Sequence, residues 1–171
     1  MVILRPTRKL QSLLPLSSDA GATSDTALGD WYVNRIVVDR HPLLILLSSR
    51  SLLTVLTPAR DVRTLPARLP ALISDRLARL GVAEQLIRAE RDAMVAVTIA
   101  KIEDRSVLGI MVNFAKDIPY CLEIGGWDET TLPSVEAQLA ETPCYATRRF
   151  EDVIFPENTA PQLLAARWHA A

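Results

Sequence analysis

Apolar residues recur along this chain with two periods, and the switch between them separates strands from helices. Val2-Ile3-Leu4 is a short apolar run before Arg5-Pro6. It predicts a strand that ends, or lies at a sheet edge, where Pro6 has no N–H to donate. Leu10, Leu13 and Leu14 fall at helical spacing, and Pro15 stops that pattern. Residues 15–26 carry Ser, Asp, Gly and Thr without period and are read as a flexible loop, long enough to order against a partner. Three strands are expected next. Trp31–Val38 is rich in aromatic and β-branched residues, Leu43–Leu47 is a continuous apolar run of the kind buried on both faces, and Leu52–Leu56 stops short of Pro58. Short polar connectors between them predict antiparallel hairpins.

From Leu65 the period becomes helical. Leu65, Leu69, Leu72, Ile73, Leu77 and Leu80 share one face, with Asp75, Arg76 and Arg79 mostly on the other, and Gly81 suits a left-handed C-terminal cap. A second helix starts near Ala83, with Leu86, Ile87, Ala89 and Ala93 inward and Glu84, Arg88, Glu90 and Arg91 on the wet side. Residues 94–102 are rich in β-branched side chains and predict a fourth strand. Ser106 is placed as the N-cap of a helix from Val107 to about Asp117, closed by Pro119. A turn at 125–127, a short helix over 132–139, a candidate strand within 144–155 and a final helix opened by Thr159 and Gln162 complete the reading. The fold class expected is α+β: an antiparallel three- to five-stranded meander sheet packed against several helices, in one globular domain over 1–171.

Composition narrows the function classes. At 49% hydrophobic and 23% charged residues, the chain lies within the ordinary globular range. A net charge of −1 excludes a global basic field, yet residues 1–60 hold seven Lys/Arg against four Asp/Glu, which leaves room for a local basic patch near the N-terminus and nothing stronger. Cys121 and Cys144 have no paired spacing and read as reduced thiols, and with only His41 and His169 beside them no metal site is expected. No apolar run approaches the roughly 18 residues of a spanning helix, and the basic residues follow the first apolar run, the reverse of a secretory signal. A cytoplasmic protein without membrane contact is expected.

The candidate chemistry is sparse. Glycine-rich phosphate loops, nucleophile elbows and zinc-helix motifs are all missing, so no cofactor is expected, and His41 before Pro42 reads as a solvated turn residue. Arg5, Thr7, Arg8 and Lys9 place three cations and a hydroxyl around a strand-to-helix transition, a grouping that can grip phosphate or simply form a solvated face. Arg148-Arg149 could extend that patch. Asp25 and Asp30 flank the entry to the meander, where carboxylates serve as acid and base or close the turn made by Gly29. Trp31 and Tyr32 point to opposite faces of a strand, one toward the core and one toward a rim. Ser106 is either a cap or an anion contact at a helix start.

Three blocks, "LRPTRKL" (4–10), "TALGDWYVNRIVVDRHPLLILLSSRSLLTVLTPARD" (26–61) and "RSVLGIMVNFA" (105–115), are together similar to a family of small bacterial proteins known as a domain of unknown function. The resemblance implies a bacterial single-domain protein and brings no catalytic residue with it. Two functional readings follow from the residues. The first is a non-enzymatic partner-binding or regulatory module that contacts a protein or a nucleic acid. The second is a small phosphodiester-cleaving or phosphoryl-transfer enzyme that uses Arg5, Arg8 and Lys9 with Asp25 or Asp30. A homodimer through Trp31, Tyr32 or Trp127 is a third possibility.

Overall fold

A computed structural model describes residues 1–17, 22–122, 130–145 and 153–169. Its elements in chain order are β1 (Val2–Pro6), β2 (Trp31–Val38), β3 (His41–Ser48), β4 (Thr54–Pro58), α1 (Leu65–Arg79), α2 (Glu84–Ala93), β5 (Val97–Ile99), α3 (Arg105–Cys121), α4 (Leu132–Glu141), β6 (Cys144–Tyr145), β7 (Val153–Ile154) and α5 (Pro156–Trp168). The expected meander is present: β2, β3 and β4 pair antiparallel, with Tyr32 opposite Leu47 and Leu44 opposite Thr57. A tight hairpin turn at Asp39-Arg40 holds both residues at positive φ, 46° and 68°.

The sheet is mixed, not purely antiparallel. Its order is β4-β3-β2-β1-β5, and β1 runs parallel to both neighbours, with Leu4 opposite Trp31 on one side and Ile99 on the other. Parallel neighbours need a connection long enough to carry the chain back, and 7–30 supplies it on one side and the α1–α2 segment on the other. Pro6 therefore closes an interior strand instead of marking an edge. The small β6–β7 pair lies apart from this sheet.

Helices cover both faces. Leu4, Trp31, Val33, Leu44, Leu46 and Val55 share a core with the apolar stripes of α1 and α2 and with Leu164 of α5. Tyr32, Leu43, Ile45, Leu47 and Leu56 face Val107, Met111, Phe114 and Ile118 of α3 and the inner side of α4. Period-two alternation sends neighbouring strand residues into different cores, which is why Leu43–Leu47 reads as unbroken apolar sequence. It also revises the Trp31–Tyr32 expectation: both are buried, at 0% and 2% exposure, so neither is a rim residue and neither offers a dimer surface.

Several local expectations shift. Residues 7–14 form successive turns instead of a helix (Leu10 N to Thr7 O 2.8 Å, Leu13 N to Leu10 O 2.9 Å), because so short a segment cannot nucleate one before Pro15. Leu10 and Leu14 are still buried. Asp104, not Ser106, caps α3, and the helix runs through Pro119 to Cys121. The final helix begins at Pro156, three positions before the expected capping box. Gly81 has φ +78°, as a left-handed cap requires, and α2 gives way to strand β5 as expected. Arg76 and Glu90, placed on wet helix faces by their charge, are buried at 2% and 0% exposure. The 125–127 turn, Trp127 and Arg148-Arg149 lie outside the described residues.

Candidate functional site

Arg5 is the next-to-last residue of β1, on the strand face away from Leu4, and its side chain is 4% exposed. Burial alone would force a guanidinium to find partners for each nitrogen. Nε donates to Asp30 Oδ2 at 2.5 Å, Nη2 to Glu103 Oε2 at 2.9 Å, and Nη1 to the Lys101 carbonyl. Burial works to lower the Arg5 pKa, but the Asp30 hydrogen bond and the charges of Asp30 and Glu103 outweigh it and hold the group above its ordinary value. Arg5 is a fixed cation.

Asp30 is held just as firmly. Its Oδ1 accepts from Ser24 Oγ at 2.6 Å, and its backbone N–H donates to Ser49 Oγ at 2.9 Å. Ser24 Oγ also accepts from Ile3 N at 3.0 Å, which ties the 22–26 segment to β1. The turn before Asp30 depends on Gly29, at φ +76°, where a Cβ would meet Ser49 Oγ at 2.5 Å. These groups line an open cleft of about 250 Å³, with Arg50 and Glu103 at its walls. A larger concavity of about 540 Å³ at the start of α2 is lined by Ala83, Glu84, Gln85 and Arg88. Its charges pair with each other (Arg88 Nε to Glu84 Oε1, 3.0 Å).

Of the residues singled out in the sequence, the structure brings Arg5 and Asp30 together and keeps the others elsewhere. Thr7 Oγ1 donates to Asn34 Oδ1 at 2.9 Å, while Arg8 and Lys9 are exposed and do not line the cleft. Asp25 pairs with the N-terminal amine at 3.1 Å. Ser106 is exposed at the start of α3, where its N–H and Oγ both donate to Asp104. Trp31 is core, and its indole N–H has no hydrogen-bond partner among the described residues. Among the described residues no group of three or more His, Cys, Asp and Glu side chains is placed to hold a metal ion.

Sequence reasoning missed Glu103, Ser24 and Ser49. Glu103 follows β5, and only the parallel pairing of β5 with β1 brings it to Arg5. It also missed two buried carboxylates that close other junctions. Glu90 of α2 accepts from the N–H groups of Ala27 (2.8 Å) and Leu28 (3.1 Å) and from Trp168 Nε1 (2.9 Å). Glu136 of α4 accepts from Leu56 N (2.7 Å) and Arg79 Nη2 (2.6 Å), with Arg76 Nε at 3.6 Å.

A second surface gathers positive charge from separate segments. Arg8 and Lys9 follow β1 beside Asn34, since Thr7 N donates to Val33 O. Arg35 and Arg40 occupy the free end of the β2–β3 hairpin. Arg60, Arg63 and Arg68 follow β4, whose connection is fastened to the same hairpin by Ala59 N on Pro42 O at 2.9 Å. Arg68 is half-buried over the start of α1, and the other six are exposed.

The fold and its polar junctions define a class: a three-layer α+β protein with a mixed five-stranded sheet, a closed Arg5–Asp30–Glu103 ion network on one face, and a basic sheet end. The chain belongs to the family described as Domain of unknown function (DUF6933), whose model matches residues 3–159. Comparison with curated proteins and with solved structures gives no match. No described helix is long and apolar enough to cross a membrane.

Proposed function

We propose that the protein is a non-enzymatic partner-binding module of the bacterial cytoplasm, which acts through its basic sheet end. One observation carries this reading. At the only point where the candidate catalytic residues converge, Arg5 and Asp30 consume each other: every Arg5 nitrogen has a partner, and both Asp30 oxygens accept hydrogen bonds. A guanidinium committed to three partners at once, on a side chain that is 4% exposed, is held as a structural cation and not presented to a phosphate. At the sheet end, Arg8, Arg35, Arg40 and Arg63 are exposed and make no ion pair with any described residue. The free thiols Cys121 and Cys144 fit a reducing compartment.

The enzymatic reading keeps one observation in its favour. The 250 Å³ cleft sets Ser24, Ser49, Asp30, Glu103 and Arg50 around an opening to solvent. The two readings separate in one assay: purified protein incubated with single- and double-stranded nucleic acid and with nucleotides, in Mg²⁺ and in Mn²⁺. The binding reading expects no product. Cleavage that Asp30→Ala abolishes with the circular dichroism spectrum unchanged would establish the enzyme instead.

A further inference from the structure

We infer that the basic sheet end binds the phosphate backbone of duplex nucleic acid without reading its sequence. The inference rests on the partner-binding reading and names the partner's chemistry. Three segments distant in sequence, 7–10, 34–42 and 59–68, meet there and bring seven Arg and Lys against Asp39 and Asp61. The local net charge is +5 in a chain of −1, so the remainder carries −6. A local excess of positive charge orients approach to a polyanion.

Five of these cations are distinguished from the paired arginines elsewhere by what they lack. Arg5, Arg76 and Arg79 are each paired with a carboxylate. Arg8, Lys9, Arg35, Arg40 and Arg63 make no ion pair with any described residue. One of the two local acids is turned to structural work, since Asp61 Oδ1 accepts from Arg63 N at 3.2 Å.

The hairpin tip adds an independent sign. A two-residue turn with positive φ at both positions favours Asn-Gly, yet Arg40 stands at φ 68°, a conformation that side chains resist. The fold keeps an exposed arginine in this hairpin turn against local preference, and such outliers gather at working surfaces.

The partner class follows from residue type. Six of the seven cations are arginine, whose planar fork suits phosphate oxygens. Segments 7–10, 34–42 and 59–68 contain no Phe, Tyr or Trp, so the surface offers no platform on which unpaired bases could stack. The charges come from three separate connections instead of ringing one cleft. That arrangement suits an extended row of phosphates better than a single small anion.

The test is fluorescence anisotropy of the full chain with a short mixed-sequence DNA duplex, followed as salt is raised. About five phosphate contacts predict a loss of roughly 500-fold in affinity between about 50 and about 200 mM salt. Arg35→Ala and Arg40→Ala should each lower the slope of log affinity against log salt by about 1, whereas Arg88→Ala on α2 should leave it unchanged. Circular dichroism confirms that each variant is folded. Preference for a single strand over the duplex overturns the assignment. Binding of polyglutamate but not duplex through the same arginines overturns it too, and leaves the partner-binding reading standing. If neither polyanion binds at low salt, the inference falls together with the proposed role of this surface. Cleavage of the duplex would remove the non-enzymatic reading alone.

Discussion

Asp104 accepts from Ser106 N at 2.7 Å and from Ser106 Oγ at 2.6 Å, which starts α3 two residues before the serine that the sequence singles out. The Ser106 side-chain bond is the largest influence on the Asp104 carboxyl, and it holds the pKa below the ordinary Asp value despite some opposing burial. A folded-state pKa below the unfolded one contributes stability that is complete above the unfolded value and is lost as pH falls through the folded one. Asp104→Ala is therefore expected to lower unfolding free energy by about 1 kcal/mol at neutral pH. The variant should also lose less stability than the parent between about pH 5 and about pH 2. Urea unfolding at a series of pH values checks this, and parallel pH dependences would count against it. At this scale charge was a poor guide to position. Glu90 follows Leu86 by four residues and Arg76 follows Ile73 by three, so both lie on apolar stripes. The helical period already marked them as inward, and only the habit of placing charge in water pointed the other way.

Edge strands expose unpaired backbone groups that invite association, and both edges of this sheet are closed by side chains. At β5, Ile99 N donates to Ser17 Oγ at 3.0 Å and Ser17 N to Ile99 O at 2.8 Å. At β4, Leu56 N is taken by Glu136 and Thr54 O accepts from Arg76 Nε at 3.2 Å, while Pro58 brings no N–H at all. Glu136 thus serves as ion-pair partner and edge plug together. Glu136→Ala leaves Arg76 buried without its carboxylate and Leu56 N without an acceptor, and is expected to destabilise by about 3 kcal/mol or more. Glu136→Gln, which keeps an acceptor for Leu56 N, should cost less. Denaturant unfolding measures the first effect, and concentration-dependent sedimentation should show association of the alanine variant only. A change within about 0.5 kcal/mol, as for an exposed glutamate, would remove Glu136 from this role.

Across the molecule, the Arg5 network joins β1, the entry to β2 and the segment between β5 and α3, three regions that the chain reaches at very different times. Its partners Asp30 and Glu103 lie 25 and 98 positions away in sequence. A double-mutant cycle with Arg5→Gln and Asp30→Asn is expected to give a coupling of about 2 kcal/mol, since the pair is in direct contact and largely out of water. Additivity within about 0.3 kcal/mol would show the two acting independently. The same long-range assembly creates the basic sheet end, because no stretch of sequence holds more than a few of its arginines.

The amino-acid pattern by itself determined the elements that depend on neighbours a few residues apart. These include the three-strand meander with its short connectors, the stripes of α1 and α2, the cap at Gly81, and a β3 buried on both sides. Period-two and 3.6-residue repetition act locally, and a short polar turn permits few alternatives. Only the tertiary structure decided that β1 enters the sheet parallel between β2 and β5, because the 7–30 connection has no pattern that specifies where its ends pair. It also decided what the charges do. A buried arginine, a buried glutamate and an exposed arginine look alike in sequence, and they differ by partners drawn from distant segments once the chain has closed.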